Sequence, residues 1–487
     1  MRTLLHFLPA ILLLGGAAPT SGQHQADKWY FGYVGEGLDF SQECEPVVLY
    51  DGAILGWEGV SSISDPMTGD LLFYTNSEWI WNKDHQHMPN GYIQPIGVTQ
   101  SQNTITQVLS VPFPGNDSLY YVFTNQIQGG FGGFGMRLAC VDISLNAGNG
   151  DVIFKDSIIY AEVVSEKLTA VPHANSTDIW VVGHEDEGNS FFAFLIGNSG
   201  LQFPPIISTV GKIHSGMDHL GEMKASPDGT KLAVATSEHS DIELFDFDRS
   251  NGTISNPIRV AAPPGLAVPQ NSWWYGVSFS PDNSKLYAGK QNFGDGTQSI
   301  IQVDVSSSDS AIINASKVVI STLDSVFSLQ LAPNGKIYTR RSGNYLGALN
   351  NPNADGLACD FDPYAIDFGE APGGFAGVWG LNNYIALEDY PCLGTAQIAG
   401  SPKPPDAFTI QPGPMPGVFT IRVPLDLTGS LHLEIADMRG ATVYLADLRI
   451  LDGSTTMNVR HLNAGVYLVS AFVGRQRIGA SRIVLTE

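Results

Sequence analysis

Two histidines, His173 and His184, flank one short hairpin, with Glu166 ahead of it and Glu185 directly after it. A second pair, His214 and His219, brackets Asp218. Imidazole titrates near neutrality and a neighbouring carboxylate can orient it, so convergence of these groups would supply a general acid and base, or nitrogen ligands for zinc. Neither His-Glu-x-x-His nor Gly-x-Ser-x-Gly occurs to fix a metal or nucleophile geometry, and structural hydrogen bonding accounts for the same residues. Asp65 and Asp70, and separately Asp295, place oxygen donors in turns, but no twelve-residue loop closes on a glutamate. Calcium is the one cofactor left open; no other is expected. Trp273, Trp274 and Tyr275 could stack on a sugar or peptide, although strand alternation sends at least one of them into a core. The glycine-rich run 129–135 lacks the Lys-Ser/Thr of a phosphate loop and reads as a turn.

The elements that must carry these residues are short β-strands. A strand, a turn and a second strand recur at 62–74, 111–122, 171–182, 223–234, 277–288 and 329–338, with a degraded copy at 375–387. In the clearest copies Pro sets φ, Asp or Asn caps the turn, and Gly or Asn takes the left-handed position. The anchoring prolines Pro227, Pro281 and Pro333 are 54 and 52 residues apart. That length suits one four-stranded blade, whose two apolar faces are covered only by neighbours stacked around an axis. Residues 27–393 then hold about seven blades, or six with an elaborated N-terminus. Ring closure is expected from a strand near Asp27–Gly32 pairing into the last blade, which would remove exposed sheet edges.

Arg2, the apolar run Leu4–Leu14 and the small residues up to Gly22 form a signal-peptide pattern, with cleavage expected before Gln23. No later stretch approaches the length of a transmembrane helix, so no transmembrane anchor is expected in the mature chain. The net charge of −23 is uneven: residues 401–487 carry 8 Lys/Arg against 7 Asp/Glu, so the acid belongs to the large region. Such a field disfavours nucleic acid and anionic membranes as partners. Of the four cysteines, Cys44, Cys140, Cys359 and Cys392, an oxidising destination favours a bridge between Cys359 and Cys392, which flank one late segment.

Residues 394–407 have the composition of a linker, and tight alternation follows from 408 to 487, as expected for a small immunoglobulin-like β-sandwich. This segment resembles the type A sorting domain of the Bacteroidota type IX secretion system. The resemblance rests on Gly417 and Phe419 in the first strand, Asp437 and Gly440 at a strand end, Leu462, Gly465 and Tyr467, and Arg482 in the last strand; Pro412–Pro416 replaces the usual Asn-Pro opening. It implies export across the outer membrane with the type IX machinery as partner, ending outside the cell or on its surface.

The large region resembles uncharacterised propeller-like proteins of the same bacteria, through Trp29–Gly32, Leu72–Thr75, Met88–Gly91, Glu166–Ala170, Trp180–His184 and Asn350–Asn353. Two functions are therefore expected: a surface scaffold binding a glycan or protein through blade loops, or a hydrolase or lyase with an axial His/carboxylate site. Three or more of the histidines and carboxylates around one point would mark the enzyme, and their dispersal the scaffold.

Overall fold

The computed structural model describes residues 24–485 except 33–34, 42–44, 57, 95–106, 127–134, 238–240, 262–271, 293–297, 323–325, 342–343, 370–379, 386–408, 413–417, 424–428, 438–441, 451–453, 464 and 474–475. The chain divides into residues 1–397 and 398–487.

The first unit is a seven-bladed β-propeller built from seven consecutive antiparallel sheets. The first strands of blades 1 to 7 are Lys28–Phe31, Ser61–Ser64, Val108–Pro112, Val164–Pro172, Met223–Ala225, Ser272–Phe279 and Leu329–Leu331. Among the described residues blade 1 has three strands, blade 4 five and the others four. Each seam between blades is filled by apolar side chains from both neighbours. Phe123 and Leu138 meet Val181 and Phe194 between blades 3 and 4, and Ala233 and Leu244 meet Trp274 and Val277 between blades 5 and 6. Each fully buried side chain of this size contributes roughly 1.5–3 kcal/mol, which is why a blade is stable only beside another.

The repeated turn works as its residue types dictate. In blade 5, Asp228 Oδ1 accepts from the Ser226 hydroxyl at 2.6 Å and from Thr230 N–H at 3.0 Å, while Ser226 Oγ accepts from Lys231 N–H. Asp282 makes the same bonds to Ser280 and Ser284 in blade 6. The next residue is left-handed in both turns, Gly229 at φ 68° and Asn283 at φ 64°. Adjacent turns are also tied together: Asn283 Oδ1 accepts from Asp228 N–H, and Asn353 Oδ1 from Asp282 N–H.

Two architectural expectations are corrected. The seventh blade is N-terminal, formed by Lys28–Phe31, Glu36–Asp39 and Val47–Leu49, rather than by a degraded copy at 375–387. Its first two strands are joined through left-handed Gly32 and Gly35 in place of a Pro-Asp-Gly turn, so it lacks the repeat's sequence mark. Lys28–Phe31 also stays within its own sheet instead of entering the last blade. Blades 1 and 7 meet through side chains: Trp29 lies edge-on to Tyr338 at 6.2 Å, Phe31 to Phe368 at 5.9 Å, and Lys336 pairs with Glu45 at 2.7 Å.

The second unit has a three-stranded sheet, ordered Thr409–Pro412, Val418–Arg422, Ser454–Asn458, and a four-stranded sheet, ordered Thr442–Ile450, Gly429–Asp437, Gly465–Val473, Gln476–Leu485. Phe419, Ile421 and Met457 from the first share one core with Leu433, Ile435, Tyr467 and Val469 from the second. The signal peptide, the linker at 394–407, Gly417 and Gly440 lie outside the described residues.

Candidate functional site

The first strand of each blade lines the axis, and the axis is occupied by the chain itself. Residues Gly380–Ile385 run alongside these strands, with Asn382 bridging Val60 in parallel. Asn383 N–H donates to Val60 O at 2.9 Å, and Asn382 Oδ1 accepts from Ser62 N–H at 2.6 Å. The Asn383 amide donates to Val108 O in blade 3 and to Leu168 O in blade 4, each at 3.3 Å, and accepts from Lys224 Nζ of blade 5 at 3.4 Å. Tyr384 OH donates to Leu331 O of blade 7. One segment thus bonds to five blades. At its start, a Cβ on Gly380 would lie 1.5 Å from Glu58 O, so only glycine fits.

At the Glu58 end, buried polar side chains from several blades face the axis. Glu166 accepts from Gly221 N–H at 2.9 Å, Glu222 accepts from the Ser328 hydroxyl, and Tyr275 bonds with Gln107. Oxygens of Glu58 and Glu166 have no hydrogen-bond partner. Burial, then the Glu166 carboxylate, holds Glu58 well above the usual carboxylate range. Burial pushes Glu166 up to about 8, against the opposing pull of Lys167 and the Gly221 N–H. Lys167 itself donates to Asp218 O at 2.7 Å and Leu220 O at 2.5 Å.

Between blades 4 and 5, the His184 and His214 rings stack at 4.1 Å. His214 Nε2 bonds Glu243 Oε2 at 2.9 Å, and His184 Nδ1 donates to Glu185 O at 2.5 Å. Burial first, then His214 and Lys167, drives the His184 pKa well below its ordinary value. Both imidazoles are fully buried, which suits a structural pair better than a proton-shuttling one.

Of the residues singled out in the sequence, His184 and His214 come together, and Asp218 and Glu166 flank Lys167. The others disperse. His173 is at the surface, its Nε2 bonded to Ser250 O at 3.2 Å, and His219 Nδ1 donates to Gly216 O at 2.9 Å. The Glu185 carboxylate accepts from Tyr160 OH. Trp274 is in the seam between blades 5 and 6, Tyr275 faces the axis, and Trp273 is half-buried. Asp65 Oδ1 is taken by Met67 and Thr68 N–H, and Asp70 by the Thr68 hydroxyl. Asp295 lies outside the described residues. Among those described, no group of three or more His, Cys, Asp or Glu is arranged to hold a metal ion.

The disulfide expectation finds no support: Cys359 is a free, buried thiol hydrogen-bonded to Tyr287, and Cys392 lies outside the described residues. Sequence reasoning missed Glu58, Glu222, Glu243, Asn382 and Asn383. Glu166, Glu222, Tyr275 and Ser328 stand five or six residues ahead of Pro172, Pro227, Pro281 and Pro333, and that approximate spacing was the available signal.

A second concave feature opens at the turn face of blades 2 to 4. This open groove has Phe113, Tyr120, Ile179 and Ile385 among its lining residues, with Pro66, Pro112, Pro114 and Pro172 in its walls. Among the described residues, its charged lining residues are Asp65, Asp117 and Asp178, with no Lys or Arg.

The fold and its tail define an exported propeller carrying a delivery module. Residues 409–485 match the secretion system C-terminal sorting domain. The protein is thus cargo of the type IX secretion system, delivered to the cell surface or secreted. Within the sorting domain, Phe419 is buried against Met457, Asp437 pairs with Tyr467 across strands, and Tyr467 OH donates to Asn463 O at 2.9 Å. Among the described residues no helix is long and apolar enough to cross a membrane.

No curated protein matches the chain. Among solved structures, a Lactobacillus plantarum protein is 11% identical, covering 74% of this chain and 99% of its own at a TM-score of 0.43. A putative 6-phosphogluconolactonase from Bacteroides fragilis is 12% identical, covering 75% and 99%, at 0.37. The periplasmic gluconolactonase of Pseudomonas aeruginosa is 11% identical, covering 74% and 98%, at 0.35. At these values the matches carry no argument about this chain, whose blade count rests on its own sheets.

Proposed function

We propose that this exported protein is a surface or secreted binding scaffold whose ligand, a glycan or a protein, is taken on the turn face of the propeller. The supporting observation is the occupied axis: Gly380–Ile385 fills the position where a propeller would otherwise offer an axial cleft, and the groove at blades 2 to 4 is concave and lined by apolar residues. Rigid strands holding a preformed surface suit recognition, and the proline walls limit the ordering cost on binding. The mature chain starts at Gln23, with residues 27–393 as the propeller, 394–407 as linker and 408–487 as an immunoglobulin-like sorting sandwich. In that sandwich Gly417, Phe419, Asp437, Gly440, Leu462, Gly465, Tyr467 and Arg482 carry the export signal.

The second reading is a hydrolase or lyase using the buried carboxyls Glu58 and Glu166, or His184 with His214. Elevated carboxyl pKa values favour it. The burial of all four groups weighs against it. A binding screen of the purified mature protein against glycans and an outer-surface extract tests the choice. Saturable binding without turnover supports the scaffold; turnover abolished by Glu166→Gln supports the enzyme.

A further inference from the structure

We propose that the groove across blades 2 to 4 is a docking site for an extended, basic segment of a partner protein. This inference rests on the scaffold reading and narrows it to one ligand chemistry. Among the described residues, Asp65, Asp117 and Asp178 are the charged ones lining the groove, with no Lys or Arg. The Asp117 side chain is exposed and lines the groove, so a cationic side chain would meet it with little desolvation.

The shape of the groove suits the same ligand. Phe113, half-buried, is held edge-on to Tyr121 at 5.4 Å, which fixes its ring without covering it. Met67, 63% exposed, lies on the same lining. An aromatic ring, a thioether and fixed proline walls accept aliphatic stems, and Lys and Arg carry both a stem and a charge. A neutral sugar could stack on the ring and donate hydroxyls to the carboxylates, but it would leave their negative charge uncompensated, which a Lys or Arg side chain would not. The chain's own continuation after Ile385 begins Ala386-Leu387-Glu388-Asp389 and would bring two further acids to an acidic groove, which makes it the poorer occupant.

The test is fluorescence anisotropy of labelled decapeptides on the mature full chain, comparing Lys/Arg-rich, neutral and Glu/Asp-rich sets. A glycan array and an outer-surface extract are probed in parallel, with Phe113→Ala and Asp117→Asn as variants. The expected result is saturable binding of basic peptides only, weakened by at least about tenfold in Phe113→Ala, by less in Asp117→Asn, and by added salt. Basic peptides that bind Phe113→Ala as well as wild type would show diffuse attraction to an acidic surface and overturn the proposal. Glycan binding sensitive to Phe113 would overturn the ligand class and keep the scaffold. No peptide binding, together with a lowered melting temperature in Phe113→Ala, would assign the groove to the chain's own residues. Extract binding insensitive to both variants would reject the groove alone, and absence of any binding would reject the scaffold as well.

Discussion

The Asn382 side-chain oxygen accepts a hydrogen bond from the Ser62 backbone N–H at 2.6 Å, joining residues 320 positions apart in sequence inside the axis of the propeller. Asn383 beside it bonds to blades 2, 3, 4 and 5. The ring is therefore tied at its centre by its own late segment, with no strand exchanged between blades 1 and 7 among the described residues.

Replacing Asn383 with Ala should remove the donors to Val108 O and Leu168 O and leave both carbonyls buried without that partner. The expected loss is about 2–6 kcal/mol of unfolding free energy, given about 1–3 kcal/mol for each buried group left unsatisfied. Denaturant titration reads it as a lower midpoint with an unchanged slope. A midpoint equal to wild type would contradict the assigned bonds.

Glu166 makes a signed prediction about pH. Its folded pKa of about 8 lies above its ordinary value of 4.5, so the native state binds more protons than the unfolded state between those limits. Its contribution is fully present below about 4.5 and is lost as pH rises through about 8. His184 acts in the opposite sense: its depressed pKa costs stability as pH falls below its ordinary 6.5. Lys167, lowered to about 8, adds stability only as pH rises above that value. The clean readout is the difference between wild type and Glu166→Gln, which cancels terms common to both. That difference should shift against wild type from pH 5 to pH 8; a flat difference would remove the claim.

Cys140 and Cys359 are buried thiols whose pKa burial pushes up to about 11. Both should resist alkylation in the native protein and react after unfolding. Peptide mapping decides this, and recovery of a Cys359–Cys392 peptide would restore the bridge.

Truncation after Gln397 should leave the propeller folded with an unchanged cooperative transition, because each unit has its own core. The truncated protein should accumulate in the periplasm, whereas a passive reporter fused to 408–487 and the N-terminal signal should leave the cell. Fractionation of cells with the type IX machinery reads both. Export of the truncated chain would mean that the sorting function lies elsewhere.

Much of this fold was legible where turn chemistry repeats. Pro227-Asp228-Gly229 and Pro281-Asp282-Asn283 announce a blade because φ, cap and left-handed position are all set by local residue type. Blade 1 was missed because Gly32 and Gly35 replace that turn. The axial segment was unreadable for a different reason: Asn382 and Asn383 act through partners hundreds of residues away, and nothing local distinguishes them from loop asparagines. The histidines illustrate the same limit. His184 meets His214 through a loop whose His214 N–H donates to Gly188 O at 2.7 Å, while His173, at the opposite end of the hairpin from His184, lies at the surface bonded to Ser250 O.

The central claim, that the propeller axis is closed by residues 380–385 and ligands are met at the turn face, is tested most directly by hydrogen exchange on the mature protein. The Asn383 and Ser62 amides, bonded to Val60 O and to Asn382 Oδ1, should exchange only through global unfolding, as slowly as the blade strands around them. Exchange of both amides at the rate of an unstructured peptide would show an open axis and contradict the account.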